Sequence, residues 1–147
     1  MSLRISFLLS TALLITGCSR PDSPETQVHT AINGIEAAAE ARDVGEVMAF
    51  VSPDFRDGYG RGPDELRRQL YGYFIANQSI HLLTRIDELD FPTADEARVK
   101  ITVGMVGREA EASDAWDLAA DVRDFEVTLR RQGGDWKVIH ARTGPAG

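Results

Sequence analysis

The side chains able to move protons in this 147-residue sequence are few and scattered. Its three histidines, His29, His81 and His140, do not stand at the spacing of paired metal ligands. Asp54 and Asp57 lie at a glycine-rich stretch, and His140 lies near the C-terminus. Together they make the one carboxylate–imidazole set that a small hydrolase, isomerase or dehydratase could use, a base to take a proton and an imidazole to return it. The plainer reading of His140 is a hydrogen-bonded strand histidine. Tyr59, among the glycines, and Trp116, in a polar stretch, are candidate platforms for a ligand, with simple packing over a sheet rim as the alternative. Arg142 would offer a carboxylate or phosphate a permanent cation if it faced a pocket, and otherwise reads as a surface or salt-bridged arginine. Glu109, Glu111, Asp114 and Asp117 lack the central glycine of a calcium loop. No metal site is expected, and without a GxSxG, Walker or dinucleotide glycine pattern no cofactor is expected either.

One thiol is present, Cys18, so an internal disulfide is excluded. Arg4 and the apolar run from Ile5 to Ile15 read as the charged and hydrophobic regions of an export signal, too short to span a bilayer core of about 30 Å. The run ends Ile15-Thr16-Gly17-Cys18, which resembles the lipobox of bacterial lipoproteins. That resemblance implies cleavage before Cys18, acylation of the cysteine, and anchoring by several acyl chains where one would hold only weakly. Ser19 after the cysteine resembles the pattern sent on to the outer membrane, facing the periplasm. The boundaries read from the sequence are a signal peptide over 1–17, a lipidated cysteine and proline-containing tether over 18–25, a folded domain over 26–143 and a tail over 144–147. The net charge of −7 argues against nucleic acid and against docking on anionic lipid. The membrane is therefore reached through the anchor alone.

The elements that must position the chemistry follow from periodicity. Val28, Ala31, Ile32, Ile35, Ala38 and Ala39 make one face of a helix over Thr26 to Arg42. Asp43 followed by Glu46 is a capping pattern for a second helix, with Val44, Val47, Met48 and Val51 on its face and Pro53 as its limit. A loop from Asp54 to Gly62 follows. Pro63 then opens a third helix facing inward with Leu66, Leu70, Tyr73 and Phe74. After Asn77 the period becomes two, in segments around Ile80–Ile86, Val99–Met105, Arg123–Arg131 and Trp136–Arg142, with Gly133-Gly134-Asp135 as a turn. Three helices followed by about four antiparallel strands predict an α+β domain with helices on one face of a curved sheet.

The Arg42-Asp43 junction, the Ser52-Pro53-Asp54-Phe55 segment before Gly62-x-Asp64-Glu65-Leu66, and the terminal run Gly134-Asp135-Trp136-Lys137-Val138-Ile139-His140 resemble, in that order, the nuclear transport factor 2-like (NTF2-like) superfamily. That superfamily includes SnoaL-like proteins and ketosteroid isomerases. The resemblance implies a cone, a bent sheet wrapped around helices with a pocket at the wide end, and in many members a homodimer through the outer sheet face. Its catalytic sets do not carry over. Ile35 stands where the isomerases place a tyrosine, Arg123 where they place an acid, and Tyr59 near their base. The last strand has His140-Ala141-Arg142 where the family often has two histidines. A noncatalytic domain binding a small apolar molecule or a protein partner is the expectation. The alternative is the carboxylate–histidine enzyme.

Overall fold

The computed structural model describes residues 22–105 and 121–144. Helix α1 spans Pro24–Glu40. The Ser23 hydroxyl accepts from the Thr26 amide at 3.2 Å, and Pro24 occupies a first-turn position that needs no donor. The helix therefore starts inside the stretch expected as tether, because this proline is preset for a helical turn. Arg42 ends the unit in a left-handed conformation (φ 55°), and its guanidinium donates to the Phe74 carbonyl at 3.2 Å. Asp43 then caps α2, Val44–Ala49, by accepting from the Glu46 amide at 3.0 Å.

Helix α2 stops earlier than the apolar spacing predicts. Val51 to Asp57 forms a strand, β1, so Val51 leaves the helical face and the first part of the expected loop is extended. Pro53 explains this. It cannot donate to a ladder and cannot continue a helix, but it is tolerated in a strand bonded on one side only. β1 is such a strand. With β2 (Leu82–Thr93), β3 (Glu96–Met105), β4 (Asp121–Gln132) and β5 (Asp135–Thr143) it forms a sheet of order β1-β5-β4-β3-β2. Among the described residues the sheet thus has five strands where the alternation pointed to about four. β1 runs parallel to β5, and the remaining pairs are antiparallel. Gly133 and Gly134, at φ 61° and 92°, make the tight turn from β4 to β5 that side-chain-bearing residues would resist.

Helix α3, Pro63–Ala76, opens with Pro63, while Glu65 accepts from the Gly62 amide at 3.2 Å. Leu66, Leu70 and Phe74 pack inward. Tyr73 does not join them as expected. It is 41% exposed, lies edge-on to Phe74, and donates its hydroxyl to Met105 Sδ.

The main core joins Val28, Ala31 and Ile32 of α1 to the inner sheet face, Ala97, Val99 and Ile101 on β3, Val127 and Leu129 on β4, and Trp136 and Val138 on β5. The period-two reading of β3 and β4 is therefore correct. Trp136 is buried, as expected of a core residue. Its indole N–H donates to Gln27 Oε1 at 3.2 Å, and Arg131 lies over its ring at 5.0 Å. A second cluster, including Val44, Val47, Met48, Phe74 and Ile80, binds the helices to one another.

Gly34 of α1 stands against the Phe50 ring at the end of α2. A Cβ placed there would stand 2.4 Å from Phe50 Cζ. Gly34→Ala would gain about 1 kcal/mol at an open helical site. Here overpacking is expected to outweigh that gain and lower stability by about 1–2 kcal/mol. Chemical denaturation should show the loss in Gly34→Ala and its relief in Gly34→Ala/Phe50→Leu.

Candidate functional site

Between the helices and the inner sheet face lies a cavity of ≈ 330 Å³. All eight elements contribute to its wall. Ile32, Ile35, Glu36 and Ala39 come from α1, Val47 from α2, and Leu66 and Leu70 from α3. The sheet supplies Val51 and Phe55 from β1, Leu82 and Thr84 from β2, and Ile101 and Val103 from β3. Phe125 and Val127 of β4 and Val138 and Ala141 of β5 complete it. Among the described residues, Glu36 and Thr84 are the only polar ones in this lining. The volume is at the low end of ligand-sized pockets, about 300–1,000 Å³.

A second, more polar depression adjoins it. The two share Phe55, Leu66, Phe125 and Ala141. Here the Asp57 carboxylate organises the loop after β1. It accepts from the Tyr59 amide at 2.9 Å, the Arg61 amide at 2.8 Å and Arg61 Nε at 2.6 Å. Partial burial works to raise the pKa of Asp57, but these hydrogen bonds and the Arg61 charge together hold it below the ordinary value of 3.8. Arg61 also lies over the Tyr59 ring at 5.0 Å, while Tyr59 is itself 84% exposed. Arg142 reaches this vestibule too, but its Nε donates to Glu126 across the strand pair at 2.8 Å. Both guanidiniums are thus already matched by carboxylates.

Of the residues singled out by type and spacing, Asp57, Tyr59 and Arg142 meet at this vestibule. Asp54 is exposed on β1 and lines neither depression. Trp116 and Cys18 lie outside the described residues. His140 does not face the cone, contrary to the alternation with Trp136 and Val138. Leu129 pairs with Val138 and Thr128 with His140, which leaves Ile139 as an extra residue in β5. This bulge reverses the sense of alternation, so Ala141 turns inward beside Val138 and His140 does not. Its Nδ1–H donates to the Arg56 carbonyl at 2.7 Å, the strand-histidine role. The carboxylate–imidazole set therefore shares no cavity.

Glu36 was not on the apolar list for α1. Its position was nonetheless accessible in principle. It stands one helical turn after Ile32 and three residues before Ala39, so it borders the buried stripe. Thr84 belongs to the alternating set Ile80, Leu82, Thr84 and Ile86. Phe55 was hidden because its segment read as loop.

The lowered pKa of Asp57 fixes a sign. A carboxylate whose folded-state pKa lies below its unfolded value stabilises fully above 3.8, and that stabilisation is lost as the pH falls from there through the folded value. Thermal melts taken from neutral pH down past 3.8 should fall more steeply for the wild type than for Asp57→Asn. Parallel curves would rule out this role for the carboxylate.

No protein-family model matches the chain, and no curated protein matches it. Solved structures do. An NTF2-like protein of unknown function from Shewanella oneidensis MR-1 is 14% identical, with a TM-score of 0.61 over 82% of this chain and 98% of that one. A candidate scytalone dehydratase from Novosphingobium aromaticivorans is 16% identical, with a TM-score of 0.65 over 81% of each chain. A ketosteroid isomerase-like protein from Erwinia carotovora atroseptica is 18% identical, with a TM-score of 0.55 over 80% of this chain and 92% of that one. At these identities the likeness concerns backbone architecture. The chain has the NTF2-like cone fold, with its helices on the inner face of a curved five-stranded sheet.

Proposed function

We propose that this chain is a cell-envelope lipoprotein, anchored through Cys18, whose cone binds a small, largely apolar ligand without transforming it. The observation that carries the binding reading is the cavity wall, which among the described residues is apolar except for Glu36 and Thr84. Concave apolar surface draws apolar matter out of water at roughly 25 cal/mol per Å² buried. The noncatalytic reading is supported by the separation of Asp54 and Asp57 from His140, whose imidazole is committed to the Arg56 carbonyl. The anchoring reading rests on the sequence Ile15-Thr16-Gly17-Cys18 after a short apolar run. In it the outer membrane, on its periplasmic side, is the destination, because Ser19 follows the cysteine.

Two experiments test this. A neutral solvatochromic dye should bind the wild type, and Val103→Phe, which fills the cavity from β3, should weaken that binding about tenfold or more while the fold persists. Undiminished binding would place the dye elsewhere. Separately, cells fed radiolabelled palmitate should label the wild-type protein and not Cys18→Ser. An unlabelled, freely soluble wild type would remove the anchor from the proposal.

A further inference from the structure

The charge arrangement around the cavity narrows the ligand class, and this step rests on the binding reading above. Carboxylates elsewhere at the site have partners. Asp57 holds Arg61, Glu126 holds Arg142, and Glu40, one turn beyond Glu36 on α1, accepts from the Leu82 amide at 2.8 Å. Glu36 differs. Among the described residues it makes no hydrogen bond or ion pair, although it is half-buried and lines a wall that is otherwise almost wholly apolar. A carboxylate beside apolar surface loses part of its hydration, and no described side chain or amide compensates it. Arg61 and Arg142 of the adjoining vestibule already neutralise other acids. The second polar group of the wall, Thr84, stands on β2 two residues beyond Leu82. Because Glu40 of α1 bonds the Leu82 amide, Thr84 and Glu36 lie near the same seam between α1 and β2.

We propose that the cavity takes an amphipathic amine, with its apolar body among the aliphatic side chains and its ammonium group on Glu36. The ammonium supplies the missing positive charge and donates to the carboxylate, with the Thr84 hydroxyl as a further acceptor. A neutral alcohol of the same shape would gain the apolar contacts but only a weaker hydrogen bond. A carboxylate of the same shape would meet like charge. Glu36 remains partly solvated, so the preference is moderate, about tenfold for amine over alcohol.

The test uses three probes of matched shape, cyclohexylmethylamine, cyclohexylmethanol and cyclohexanecarboxylate, titrated into the full chain while the methyl signals of Ile35 and Val103 are followed by NMR. The amine should bind most tightly and the carboxylate least. Glu36→Gln should bring the amine down to the level of the alcohol, and Glu36→Lys should shift the preference to the carboxylate. A Glu36 with a merely structural role would not produce that exchange of preference. Equal binding of all three probes, or tightest binding of the carboxylate to the wild type, would overturn the amine assignment and leave the apolar-ligand reading standing. If no probe shifts the cavity methyls, both fall.

Discussion

Strand β5 is hydrogen-bonded on both flanks, antiparallel to β4 and parallel to β1, and it carries Ile139 as one residue more than β4 can match. That mismatch controls what enters the cone. Before it, Trp136 and Val138 point inward. After it, Ala141 does, and His140 is handed to the Arg56 carbonyl. The same strand holds β1 at the sheet edge, which brings Phe55 to the cavity wall and Asp57 to its vestibule. A strand without the extra residue would place an imidazole where a methyl group now stands. The position of His140 outside the cavity thus has a backbone cause.

Much of this architecture was legible because it rests on local rules. Ser23, Asp43 and Pro63 mark helix starts through groups the first helical turn leaves unpaired. Val99, Ile101, Val127 and Leu129 show their shared face by strict alternation. The errors arose where a distant partner decides the outcome. Val51 to Asp57 lacks a strand signature because Pro53 counts against it, and only its edge position beside β5 makes the extended state favourable. The bulge at Ile139 leaves no compositional mark, so His140 looked inward. Asp57, Tyr59 and Arg142, singled out by residue type, line the vestibule. Glu36 was missed because an acid beside an apolar stripe usually reads as the start of the solvated face.

The cavity also represents a compromise between packing and use. A domain of this size could close its core by placing larger side chains at Ala39, Val47 or Ala141. Leaving space forfeits the contacts those atoms would have made. It also leaves Glu36, unpartnered among the described residues, beside an apolar wall. The two main clusters carry the fold around this space, with the Trp136 cluster at one end and the helix cluster of Val47, Met48 and Phe74 at the other.

The sheet ends on one side in β1, interrupted by Pro53, and on the other in β2, where Asp87 is an unmatched residue against β3. The Asp87 carboxylate accepts from the Thr102 hydroxyl at 2.6 Å and from Arg85 Nε at 2.7 Å, so the irregularity is pinned in place. Neither border offers a long, even row of backbone donors and acceptors to a foreign strand. These irregularities disfavour growth of the sheet from molecule to molecule, the first step toward fibrils. Copies of the domain at high local concentration would thus meet borders that make poor templates for polymerisation.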